Sequence, residues 1–177
     1  MIRASVRKLL WLFCVLCIKG CSLDESNEVI ILLPGQLGGK PLVLAQTSAS
    51  EVSIITHGSG GYDVVPSLIR KVWWNDKIIV TENHPMKARN KFPGDIYEFP
   101  DRTQVCWYLV DLCKGNVWRF QDYKLLTNYV KAIGVDPRQV DLRDLRKAQR
   151  LREKELGFKF TSQSVNRFLK STNTLAK

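Results

Sequence analysis

The side chains best suited by type to do chemistry fall into three groups. "ITHGSGGYD" puts His57, Ser59 and Asp63 close together, the residue types of a base, a nucleophile and an orienting acid. "PGDIYEFPD" carries Asp95, Glu98 and Asp101, and a pair of carboxylates about 5 to 9 Å apart is what hydrolysis of a sugar bond requires. The third group is the five cysteines, of which Cys14 and Cys17 have the C-x-x-C spacing of redox and zinc motifs.

None of these groups carries a catalytic assignment. A strand followed by His-Gly can present an oxyanion-hole backbone, but the G-x-S-x-G nucleophile elbow that accompanies it is absent from the sequence. Three neighbours in sequence rarely converge as a triad, whose members come from separate elements. "HGSGG" therefore reads as a turn that uses glycine to reach positive φ. With two histidines, His57 and His84, and no H-E-x-x-H, neither a zinc site nor a cofactor is expected. Asp95, Glu98 and Asp101 read as a solvated, proline-rich loop. The competing reading is an envelope hydrolase that uses His57 or these acids on cell-wall material.

Cysteine chemistry of another kind lies at the N-terminus. Arg3, Arg7 and Lys8 precede an apolar run from Leu9 to Ile18, which ends at Lys19-Gly20-Cys21 and the polar "SLDESNE". A basic start, a short apolar centre and a small residue before the break describe a secretory signal. A spanning helix needs about 20 apolar residues, so this run is too short to be one. Ile18-Lys19-Gly20-Cys21 resembles the bacterial lipobox, with an aliphatic residue at minus three, glycine at minus one and the lipid-bearing cysteine. Lys19 departs from it, because the minus-two position is usually small or uncharged. On this reading residues 1–20 are a signal peptide, Cys21 is the lipid attachment site, and residues 21–28 are a tether with too little apolar matter to fold. Cys14 and Cys17 leave with the signal. The lipid on Cys21 makes the membrane a partner and places the protein in the cell envelope, facing the periplasm or the exterior.

What remains after residue 20 has the length of one ordinary domain. The formal charge of +10 loses Arg3, Arg7, Lys8 and Lys19 with the signal. Much of the remaining excess lies in "RQVDLRDLRKAQRLREKELGFKF", where both signs alternate as on a solvated helix face. That pattern and the export signal both argue against a nucleic-acid partner.

Positioning falls to hairpins followed by helices. "EVIILLPGQLGGKPLVLAQ" and "EVSIITHGSGG" are β-branched runs broken by Pro and Gly. Leu68–Trp74 and Lys77–Glu82 flank Asn75-Asp76, a dipeptide suited to a tight turn through positive φ. "QVCWYLVDLCKGNVWRF" is a second hairpin, its first strand apolar enough to be central. Cys106 and Cys113, read as one strand, lie about 23 Å apart, beyond the roughly 7 Å that a disulfide spans, and are expected to be buried free thiols. From Asp122 the period becomes helical, with Tyr123, Leu126, Tyr129, Val130 and Ile133 on one face and Gly134 as the stop. Asp136-Pro137 opens a further segment running to Gly157, and Thr161 or Ser162 caps a last helix with Val165, Phe168 and Leu169 inward. The fold class is α+β: an antiparallel sheet region over residues 29–121, covered by a helical region over 122–177 of the same domain.

"GSGGYDVVP", "WWNDKIIV" and "CWYLVDLCKGNVW" before a helix ending in "IGVDP" resemble small bacterial lipoproteins and exported proteins of unknown function, which show "GYD-x-IP", "W-[ND]-[DE]-x-IIV" and "YWIID-K-x-x-x-V" in that order. The likeness runs from Gly58 to Pro137. It implies export and a hairpin fold, and no functional residue. The expected function is that of a membrane-anchored envelope lipoprotein acting as a non-enzymatic protein-binding module, of which immunity or inhibitor proteins are one kind. The partner surface is sought in the long loop after His84, where Phe92, Tyr97 and Phe99 are candidate anchors.

Overall fold

The computed structural model describes residues 28–48, 51–58, 61–66, 68–95 and 97–175. The signal segment, Cys21 and Ser59 lie outside the described residues. β1 (Glu28–Leu37), β2 (Lys40–Ser48), β3 (Glu51–Thr56) and β4 (Asp63–Val65) form an antiparallel meander in sequence order. A second antiparallel sheet contains β5 (Ile69–Trp74), β6 (Ile78–Asn83), β9 (Cys106–Asp111), β10 (Asn116–Phe120) and the two-residue β11 (Arg143–Asp144), in the order β10-β9-β6-β5-β11. β7 (Met86–Ala88) and β8 (Glu98–Pro100) pair only with each other. Three helices follow: α1 (Tyr123–Ala132), α2 (Leu145–Leu156) and α3 (Ser162–Leu175). The α+β class is as expected, and the sheet region divides into two stacked sheets and a projecting arm.

The strand period of two explains the layering. Along the second sheet, Val72, Ile79 and Val110 belong to one buried cluster, while their neighbours Trp73, Ile78, Val80 and Leu109 belong to another. Successive side chains point to opposite faces, so β5, β6 and β9 each supply two cores at once. The first core lies against the meander and takes Ala148 from α2 and Val165 from α3. Leu126 and Val130 of α1 close the second. Both faces of β9 are therefore covered, as its apolar run requires.

Local chemistry sets most boundaries. Asp122 caps α1 by accepting from the Lys124 N–H at 2.7 Å, and Tyr129 and Ile133 pack on the second core as their spacing predicts. Tyr123, on the same face, is exposed and lies 5.4 Å from the Trp107 ring. The turn after β5 forms at Asn75, but not through positive φ. Among the described residues other than glycine, Asn90 alone has it. The Asn75 amide oxygen instead accepts from the Lys77 and Ile78 N–H groups at 2.8 and 2.9 Å, so the side chain imitates a backbone turn. Thr161 caps α3 through the Ser164 N–H at 3.1 Å, and Phe168 and Leu169 pack inward beside Val165.

Two expectations are corrected. The segment opened by Asp136-Pro137 does not continue to Gly157: it makes one 3-10 turn over Pro137–Gln139, and Arg143 and Asp144 then pair with Val72 and Lys71 of β5. Asp144 starts α2 afresh by accepting from the Lys147 N–H at 3.0 Å. Cys113 is not a buried strand thiol. β9 ends at Asp111, whose carboxylate accepts from the Cys113 and Lys114 N–H groups at 2.9 Å each, and this places Cys113 in an exposed turn. Cys106 is free and buried, as expected.

Candidate functional site

The segment from His84 to Thr103 is a braced arm rather than an irregular loop. At its base the buried His84 donates from Nδ1 to the Gln104 carbonyl at 2.7 Å, and its backbone exchanges two hydrogen bonds with Leu68. The Asp101 N–H reaches back to the Pro85 carbonyl at 2.8 Å. β7 and β8 then pair in the register Met86 to Pro100, Lys87 to Phe99 and Ala88 to Glu98, and the Arg89 N–H donates to the Tyr97 carbonyl at 2.8 Å to extend it by one step. Alternation across this ribbon puts Lys87, Arg89, Tyr97 and Phe99 on one face and Ala88 and Glu98 on the other.

Asp95 organises the tip. Its carboxylate accepts from Arg89 Nε at 2.8 Å and Nη2 at 3.2 Å, from the Lys91 N–H at 3.0 Å and from the Tyr97 N–H at 3.2 Å. The Asp95 side chain has no solvent exposure. The Arg89 guanidinium, followed by the two backbone donors, holds its carboxyl below the usual aspartate range against the opposing effect of burial. The same guanidinium lies 4.7 Å from the Tyr97 ring centroid and 5.8 Å from that of Phe92, within reach of both π faces. One cation thus binds an acid and two rings. The rings themselves stay outside: Phe92 is 56 % exposed, Tyr97 63 % and Phe99 45 %. Rings left open on a braced ribbon lose little conformational freedom when a partner covers them, which is how aromatic anchors become hot spots.

The other sequence candidates are placed elsewhere. His57 Nε2 meets the Asn166 side-chain oxygen of α3 at 2.8 Å, a neutral partner that supplies no negative charge. Asp63 is exposed at the start of β4. The glycine turn between them uses positive φ at Gly58, +111°, as expected, and at Gly61 it has a steric cause as well, since a Cβ there would lie 2.3 Å from the Thr56 carbonyl oxygen. That carbonyl lies beside a closed loop in which the Thr56 N–H donates to Tyr62 and the Tyr62 N–H donates to the Thr56 hydroxyl. Asp101 accepts from the Thr103 hydroxyl and N–H, and these bonds, with Lys87 and His84 nearby, hold its carboxyl below its ordinary range. Asp95 and Asp101 are therefore both shifted opposite to the direction that a general acid needs. Glu98 is exposed on the face away from the aromatic side chains. Among the described residues no three His, Cys, Asp or Glu side chains are grouped to hold a metal ion, and no helix is long and apolar enough to cross a membrane.

Sequence reasoning missed Arg89, and it weighed Asp95 as a candidate acid rather than as the brace of the tip. The available signal was their opposite charge on either side of Pro93-Gly94, a turn that brings residues four to six apart together. A family model described as "Protein of unknown function (DUF3997)" matches residues 41–146, a span holding the arm and the whole second sheet. No curated protein and no solved structure matches the chain.

Proposed function

From the premise that this chain belongs to the DUF3997 family of proteins of unknown function, we propose that it is a lipid-anchored envelope protein whose arm binds another protein. The observation that carries the reading is the arm itself: three open aromatic side chains, Phe92, Tyr97 and Phe99, on a ribbon braced by Arg89 and Asp95. Tyr and Arg are the side chains most enriched where binding energy concentrates. In this reading Cys21 carries the lipid, the residues between it and β1 hold the domain off the bilayer, and the domain acts by contact rather than by turnover. An immunity or inhibitor protein is one member of the class, and it would pair with an exported toxin or enzyme of opposite charge.

The test is capture from detergent-solubilised envelope, comparing wild type with a Phe92→Ser, Tyr97→Ser, Phe99→Ser variant. A stoichiometric partner retained by wild type and lost by the variant is the expected result. Equal retention by both, or no stoichiometric partner, overturns the arm reading. Metabolic labelling with a palmitate analogue tests the anchor separately: label on wild type and none on Cys21→Ala is expected, and equal label on both removes the lipid from Cys21.

A further inference from the structure

An open cavity of about 520 Å³ lies between the ends of β3 and β5 and the first turn of α2. Its floor includes Val52, Ile69 and Leu145, and Arg70, Arg102 and Arg146 stand exposed around it. A second cavity of about 310 Å³ shares Val52, Leu145 and Arg146, so the two make one open trough. None of the three guanidiniums has an ion-pair partner among the described residues, whereas Arg89, Arg138, Arg143 and Arg152 each have one. Asp144, the acid of the lining, is occupied as the cap of α2. The lining thus sets three guanidiniums against the one carboxylate of Asp144, a net positive rim around an apolar floor that favours an approaching anion.

We infer that this trough is the docking site for an extended acidic segment of the protein partner, its carboxylates meeting Arg70, Arg102 and Arg146 and its apolar side chains lying on the floor between them. The inference rests on the protein-binding reading of the preceding section. Arginine favours carboxylates because its planar fork donates two parallel hydrogen bonds. The trough is open, whereas a site for a small ligand typically encloses most of that ligand's surface. A strand-like segment alternates its side chains, which is how charged and apolar groups reach rim and floor together. Arg102 follows β8 by two residues, so the trough continues from the base of the arm and one partner can lie across both.

The test uses the full-length protein in detergent and a fluorescein-labelled peptide of alternating glutamate and leucine, with a lysine-leucine peptide and phosphatidylglycerol vesicles as comparison probes. The acidic peptide is expected to bind, with affinity that falls as salt rises. Arg70→Glu combined with Arg146→Glu is expected to weaken it at least tenfold, and Arg102→Gln to weaken it less. All three positions are exposed, and unchanged near-UV circular dichroism of the variants confirms an intact fold. The Phe92→Ser, Tyr97→Ser, Phe99→Ser variant keeps peptide affinity and loses only the native partner. Wild-type affinity in the double arginine variant overturns the trough inference and leaves the arm reading standing. Retention of the native partner by the aromatic variant does the reverse. Equal binding of the lysine peptide, or arginine-dependent binding to vesicles without binding of the acidic peptide, also overturns the inference.

Discussion

Arg89 and Asp95 close the tip of the arm as a two-pronged pair, Nε to Oδ2 at 2.8 Å and Nη2 to Oδ1 at 3.2 Å, with the acid out of solvent and the cation against two rings. The pair fixes where Phe92 and Tyr97 stand, and its ionisation therefore governs the candidate binding surface.

Because the Asp95 carboxyl is held below its ordinary value of 3.8 in the folded protein, its bracing is fully present above that value and is lost as the pH falls through the lower, folded one. The Lys91 and Tyr97 amide resonances should stay unchanged from pH 7 down to the ordinary aspartate range and move only below it. A nuclear magnetic resonance titration checks this, and a midpoint at or above the ordinary value contradicts the geometry. In Asp95→Ala the same two amides should exchange faster with solvent, while those of β6 and β9 keep wild-type rates.

Gly61 and Gly134 separate a clash from a strained backbone. Gly134 has φ of +79° with open space around its missing Cβ, so Gly134→Ala should cost about 1 kcal/mol of stability. A Cβ at Gly61 meets a backbone oxygen at 2.3 Å, and the turn must move to admit it, so Gly61→Ala should cost about 2 kcal/mol or more. Urea denaturation of the two variants measures the difference, and equal costs would mean that the turn before β4 yields freely.

Cys106 and Cys113 should differ in reactivity by their placement alone. Cys113 is exposed, whereas Cys106 is 1 % exposed, with burial pushing its thiol pKa up. The thiolate is the reactive form. A neutral-pH thiol reagent should modify Cys113 in the native protein at least tenfold faster than Cys106, and urea should equalise them. Peptide mapping by mass spectrometry reads the ratio.

Features governed by neighbouring residues were readable from the chain. The hairpins before and after the arm, the caps at Asp122 and Thr161, the helix stop at Gly134 and the inward face of the first helix each depend on contacts a few residues away. Even at Asn75 the position of the turn was legible, although the means, a side-chain oxygen in place of positive φ, was not. The aromatic candidates were named from composition, but what braces them was not, because Arg89 and Asp95 read equally well as two solvated charges.

The sequence by itself determined the class of the fold, because the change from a period of two to one of 3.6 and the turn residues are local facts. Tertiary structure alone decided the rest. Arg143 and Asp144 sit in a stretch whose composition suits a helix, yet they pair with Lys71 and Val72, since an unpaired edge on β5 outweighs a weak local preference. The division of the strands into two sheets decides which face each side chain serves, and no short-range pattern encodes it. The trough is the clearest case: Arg70 of β5, Arg102 of the turn after β8 and Arg146 of α2 are far apart in the chain, and only the tertiary packing gathers their charge in one place.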